Sequence, residues 1–259
     1  MSSVTVRIKE IKQPRGGYIK PSEFDVTELD DGRKINEIEN VHATIVGLAV
    51  DYLTRFMMGA DIKSAFEISI NGALIAQKLC GEKVVEEIEF YLNGIKGLDD
   101  TSITNACKAV TFDVWLRNPV GAILAKRADE TNPDMETIQN IRIFVERSIA
   151  FWEKYGPIVV DGFTFGEKGY TDTVDSGDGD FLTNDTLWDF KVSKAKPKSS
   201  NTLQLLMYYI MGKHSEKEEF KKISKLGIFN PSLNTVYQLD ICKVSSEIIK
   251  TVEDDVICY

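Results

Sequence analysis

The sequence predicts an α/β (α+β) protein in which a large helical elaboration precedes a strand-rich half. Three observations point there. Apolar residues keep helical spacing from Val41 through the first half, and after Gly156-Pro157 the period shortens to that of strands. Two strand-like runs, 180–183 and 186–192, are then joined by Asn184-Asp185, a pair whose side chains tolerate the positive φ of a tight hairpin loop.

Residues 1–40 are polar and turn-rich, with Pro14, Gly16, Gly17, Pro21 and Asp30-Asp31-Gly32, and read as an extended lead-in with a strand or two. From 41 to 58, Val41, Ile45, Leu48, Tyr52 and Phe56 lie on one helical stripe. Further helices are expected over roughly 62–79, 83–94, 100–117 and 134–155, separated by Gly81 and by the glycines at 94 and 97. This gives a helical region from 41 to 155 and a sheet-bearing core from 156 to 259. In that core Ile158–Phe165, Tyr170–Val174, Gly179–Thr183 and Thr186–Val192 read as successive antiparallel strands. A short helix over about Leu203–Met211, a hairpin of Lys225–Phe229 with Asn234–Asp240, and a helix at 244–254 complete the chain.

The hairpin around Asn184-Asp185 sets a register. Thr183 should face Thr186, Leu182 should face Leu187, Phe181 should face Trp188, and Asp180 should then face Asp189. Like charges directly opposite on a sheet are destabilising, and a bound cation would turn that repulsion into ligation. Alternation by two puts Lys191 on the face of Asp189, while Trp188, Phe190 and Val192 point the other way into a core. A plain solvent-facing strand is the bland alternative, but Asp-Phe-Lys inside so apolar a run is not how such a face is written.

Composition narrows the function classes. With 43% apolar and 27% charged residues the chain reads as an ordinary globular protein, without an apolar run of membrane-spanning length or a signal-like N-terminus, so no membrane role and a cytoplasmic location are expected. The net charge of −9 argues against an indiscriminate polyanion binder. Charge is nevertheless uneven, since Thr186 to Lys225 holds nine lysines against four acids, including Lys194, Lys196 and Lys198 just after Lys191. A metal site that must also hold phosphates needs such a neighbour. Asp175 to Asp180 looks briefly like a calcium loop but lacks the later Glu, and Gly177 and Gly179 are expected to let the chain turn tightly into the acid-bearing strand.

Helix, three strands, helix, strand, with Asp180 on the second strand and Asp189-Phe190-Lys191 on the third, resembles the PD-(D/E)xK nuclease superfamily. Gln204-Leu-Leu-Met-Tyr208 looks like the Gln-h-x-x-Tyr motif of its RecB-like branch, which includes relatives of lambda exonuclease. His42, in Asn40-Val41-His42, looks like the early-helix His or Glu of that branch, with Glu146 the fallback. Lys191 is followed by Val-Ser rather than the Thr-Gly frequent there, which leaves the subfamily open.

The resemblance implies a restriction-endonuclease-like αβββαβ core with a central mixed sheet, and a Mg²⁺- or Mn²⁺-dependent DNA nuclease of the kind found in phages, mobile elements or defence systems. It implies that Asp180, Asp189, the Phe190 carbonyl and His42 ligate metal, that Lys191 orients the attacking water, and that Gln204 and Tyr208 hold the DNA backbone with help from Lys194, Lys196 and Lys198. Some such nucleases carry a four-cysteine iron–sulfur cluster, but Cys80, Cys107, Cys242 and Cys258 lack the tight downstream group it uses. Cutting from ends and cutting internally are both compatible with these residues. A catalytically silent scaffold that binds DNA or a protein partner, an RNA-cleaving or toxin-like enzyme, and a homo-oligomer remain open alternatives.

Overall fold

The computed structural model describes residues 2–81 and 83–259. The chain forms two compact units, one of residues 1–30 and 152–259, the other of residues 31–151. It is a mixed α/β protein, and among the described residues no helix is long and apolar enough to cross a membrane.

The first unit opens with β1 (Ser2–Ser3), α1 (Val4–Glu10) and β2 (Asp25–Glu28). The chain then builds the helical second unit: α2 (Ala43–Met57), α3 (Ile62–Ala65), α4 (Glu67–Cys80), α5 (Lys83–Asn93), α6 (Asp100–Ala109), α7 (Asp113–Arg117), α8 (Pro119–Ala122) and most of α9 (Met135–Tyr155). It returns as β3 (Val160–Thr164), β4 (Val174–Ser176), β5 (Asp178–Leu182) and β6 (Thr186–Phe190). Last come α10 (Ser199–His214), α11 (Glu218–Lys221), β7 (Lys225–Asn230), β8 (Thr235–Asp240) and α12 (Ser246–Thr251), which runs on into a wider π-turn at Val252–Ile257.

Six strands form one sheet in the order β2-β8-β7-β6-β5-β3, with β6 and β7 the parallel pair and the other neighbours antiparallel. Parallel neighbours need a crossover, and α10 supplies it. Leu203, Leu206, Met207 and Ile210 of α10 are buried against Leu182, Leu187, Leu226 and Ile228 on one sheet face. On the other face Trp152 and Tyr155, from the last turn of α9, meet the rings of Phe181, Trp188 and Phe190, with Trp152 stacked on Phe190 at 6.2 Å between centroids. Trp188 lies over β7 where Gly227 has no side chain, since a Cβ there would come within 2.3 Å of the indole.

Two segments differ from expectation. The lead-in carries the helix α1, capped by the Ser3 side chain at Val6 N, and contributes the edge strand β2 to the main sheet. The strand expected at Tyr170–Val174 instead folds as a turn, closed by Thr171 Oγ1 accepting from the N–H groups of Thr173 and Val174. The strand begins only at Val174, and it pairs in parallel with β1 in a separate two-stranded sheet. As a result β3 pairs directly with β5.

In the second unit the apolar residues of α2, α4, α6 and α9 make the core, including Leu53, Ala73, Ile103, Ile141 and Phe144. Its first residues are tied to α9 through Asn36 N donating to Asn140 Oδ1 at 2.8 Å and Arg147 Nε donating to Asp31 Oδ2 at 2.8 Å.

Candidate functional site

The β5–β6 hairpin has the register expected from its two-residue loop: Leu182 pairs with Leu187, Phe181 with Trp188, and Thr183 N donates to Thr186 O at 3.0 Å. The loop is held by its own acid, since Asp185 Oδ2 accepts from Lys225 Nζ at 2.8 Å and its carbonyl accepts from Ser224 N and Lys225 N. The backbone ladder ends at Phe181–Trp188. One residue further on, Asp180 Oδ2 takes the N–H of Phe190 at 2.7 Å, so a carboxylate stands where the next carbonyl acceptor would.

Asp178, Asp180 and Leu182 alternate onto one face of β5, as Leu187 and Asp189 do on β6. That is the face α10 covers, which explains why Asp189 is only 2% exposed. Lys191 Nζ donates to Asp189 Oδ1 at 2.7 Å. The second oxygen, Oδ2, is buried and has no hydrogen-bond partner among the described residues. Burial pushes the Asp189 carboxyl up to about 6; Lys191 opposes the rise and the charge of Asp180 adds to it. Burial works against the Lys191 ammonium too, but Asp189, Asp180 and Asp178 outweigh it and hold the pKa above its ordinary value.

Gln204 and Tyr208 project from α10 into these surroundings. Gln204 Nε2 donates to Tyr208 Oη at 2.9 Å, and the phenol, accepting there, keeps its own O–H to donate. Burial raises the Tyr208 pKa above the usual phenol range, Gln204 opposes the rise, and the charges of Asp189, Asp180 and Asp178 add to it. Lys194, Lys196 and Lys198 lie exposed on the loop between β6 and α10. The root of that loop is pinned by the buried Asn230, whose Nδ2 donates to Ser193 O at 2.7 Å.

Asp178, exposed at the start of β5, adds its charge to the same surroundings. Asp178-Gly179-Asp180 places the two acids on one face of β5. The sequence predicts a tight turn at Gly179, whereas the residue sits inside β5 opposite Phe163, and a Cβ on it would come within 2.0 Å of that ring. The glycine makes room for an aromatic side chain, and the strand continues through it.

His42 belongs to the second unit, where it is the N-cap of α2 and its Nδ1 accepts from Thr44 N at 3.2 Å. Glu146 lies in the same unit and pairs with Arg33. The four cysteines are free thiols, and burial pushes that of Cys107 up to about 12.

Among the described residues no group of three or more His, Cys, Asp or Glu stands ready to hold a metal by side chains alone. A two-carboxylate arrangement is still sufficient for one kind of ion, because Mg²⁺ uses one or two carboxylates and keeps several waters. The orphaned Asp189 Oδ2, beside a second carboxylate, fits that demand. No family model, no curated protein and no solved structure matches this chain.

Proposed function

We propose that this chain is a Mg²⁺- or Mn²⁺-dependent DNA nuclease with a restriction-endonuclease-like αβββαβ core of RecB-like type. The observation that carries the reading is the buried Oδ2 of Asp189, left without a hydrogen-bond partner among the described residues and beside the carboxylate of Asp180. Leaving such an atom unmet costs stability, and a divalent ion would meet it while relieving the repulsion between the two acids. The topology supports the reading as well, since β3, β5 and β6 followed by α10 and β7 give three antiparallel strands, a helix and a parallel fourth strand.

Asp180, Asp189 and the Phe190 carbonyl would hold the ion. When bound, it supplies a water of lowered pKa and neutralises charge on the phosphate oxygens. The remaining work falls to the chain's own residues. Asp189 has to be deprotonated to serve, which its pKa of about 6 permits at neutral pH. Lys191, held by Asp189, presents an ammonium that orients the attacking water and stabilises charge growing on the phosphate. Gln204 and Tyr208 offer an amide and a phenol to a phosphate oxygen, and Lys196 and Lys198 draw the backbone of the nucleic acid toward an otherwise acidic protein. His42, which the resemblance implies as a further ligand, has Nδ1 engaged in capping α2 and keeps Nε2 for that role.

The test is incubation of purified protein with linear duplex, circular duplex and single-stranded DNA and with RNA, in Mg²⁺, Mn²⁺ or EDTA. DNA should be cut in either metal and left intact in EDTA or by Asp189→Ala. Cleavage of RNA alone, or by the Asp189→Ala protein, would overturn the reading.

A further inference from the structure

Two stretches of the first unit hold cations and no acid. Residues 11–22, between α1 and β2, contain Lys12, Arg15 and Lys20, and residues 190–215 contain Lys191, Lys194, Lys196, Lys198 and Lys213. The unit around them is acidic, with 22 Asp and Glu against 18 Lys and Arg.

The fold brings the two stretches together at the start of α10. Gly17 N donates to the Pro14 carbonyl at 2.9 Å and closes a turn in which Gly16 and Gly17 both have positive φ. That turn lies against Ser199, since a Cβ on Gly17 would come within 2.6 Å of the serine Cβ. Just beyond it, Thr202 Oγ1 donates to the Ile19 carbonyl at 2.6 Å, and the Ile19 side chain is buried in the core beneath. Neither anchor uses a charged group. Lys12, Arg15 and Lys20 are therefore left exposed on their loop, as Lys196 and Lys198 are on theirs.

Other lysines of this unit face carboxylates: Lys168 pairs with Glu216, Lys221 with Glu218, Lys225 with Asp185, Lys243 with Asp25 and Lys250 with Asp254. Lys12, Arg15, Lys20, Lys196 and Lys198 pair with no carboxylate among the described residues. The acid nearest in sequence to the first loop, Glu23, accepts from the backbone N–H of Lys20 at 3.4 Å. Cations gathered without counter-charges set up a positive potential that a polyanion can use.

We propose that Lys12, Arg15 and Lys20 extend the surface of Lys196 and Lys198 across the start of α10, and that this surface carries the phosphate backbone of DNA running to the Asp180–Asp189 site. The proposal rests on the nuclease reading for its ligand. Ser199 stands five residues ahead of Gln204 on α10, about 7.5 Å along the helix, so the surface adjoins the site. Regularly spaced phosphates match separate exposed cations, whereas a compact anion needs donors that converge on one point. A membrane is disfavoured, because among the described residues neither stretch exposes a large apolar side chain to insert.

Fluorescence anisotropy of a labelled short DNA duplex with the full chain in EDTA, from about 50 to 200 mM salt, tests it. Lys12→Ala/Arg15→Ala/Lys20→Ala should bind about tenfold more weakly and lower the salt slope by about two to three, the counterion release of three phosphate contacts. The same loss of charge in Lys221→Ala/Lys243→Ala/Lys250→Ala, where acids already neutralise the lysines, should move the slope by less than about one. Should the first triple variant not fold, Arg15→Gln decides, with an expected slope loss of about one. Cleavage in Mg²⁺ is read separately. DNA bound through these residues but left uncut would refute the nuclease and keep the surface, and DNA cut by wild type and the first triple variant with equal KM would refute the surface and keep the nuclease. The proposal is also overturned if the two triple variants lose alike, if Arg15→Gln leaves the slope unchanged, or if phosphatidylglycerol vesicles bind the chain and the duplex does not.

Discussion

Two aspartates in this chain are buried to the same degree and differ in how their oxygens are met. Asp113 and Asp189 are each 2% exposed, and burial raises the pKa of both. Asp113 has an accepting role for each oxygen, with hydroxyls from Tyr52 and Ser69 and a guanidinium behind them. Asp189 has Lys191 on one oxygen, no hydrogen-bond partner among the described residues on the other, and the like charge of Asp180 close by. Burial therefore does not distinguish a structural acid from a functional one. Under the proposed function, the difference lies in incomplete hydrogen bonding beside a like charge, an arrangement that a metal ion would complete.

The comparison can be broken most easily through activity. Asp189→Ala and Lys191→Ala should each lower DNA cleavage by about a thousandfold or more with an unchanged circular dichroism spectrum. Asp113→Asn should leave cleavage near wild type. Equal losses at the two acids would erase the distinction.

Stability provides the next largest effect. Asp113→Ala strands two buried hydroxyls and should cost about 4 kcal/mol in urea unfolding, whereas Asp189→Asn, which removes a repelling charge, should cost nothing or stabilise. The pH dependence sharpens the contrast. An unfolded aspartate titrates near 3.8 and folded Asp189 near 6, so the folded chain holds that proton more tightly. Without metal, the resulting stability is present below about pH 4 and is lost as pH rises through 6. Comparing wild type with Asp189→Asn across that window should isolate it, and parallel curves would show that Asp189 titrates normally. The smallest effect belongs to the loop: Lys196→Ala/Lys198→Ala should weaken DNA binding and lower its salt slope by about two.

Much of this contrast could be read from residues alone, for local reasons. Asn184-Asp185 allows only a short loop, so the pairing of Leu182 with Leu187 and Phe181 with Trp188 follows from counting, while the ladder stops short of the expected Asp180–Asp189 pair, where Asp180 takes the N–H of Phe190 instead. Asp189 Oδ2 could not be foreseen, since its isolation depends on how α10 packs over the sheet. The turn at Tyr170 was hidden for a similar reason, because Thr171 closes it with a side-chain hydrogen bond that strand periodicity does not register. Nor does the lead-in announce that Asp25–Glu28 will pair with β8, more than 200 residues away in the chain. The buried role of Asp113 needed Tyr52 and Ser69, on two other helices, to be brought to it.

The most direct test of the central claim is calorimetric titration of Mg²⁺ and Mn²⁺ into nucleic-acid-free protein at pH 6, for the wild type and for Asp189→Asn. The expected result is binding by the wild type with release of a proton, as metal displaces it from Asp189, and no binding by the variant. Equal binding by both proteins, or by neither, would contradict the account.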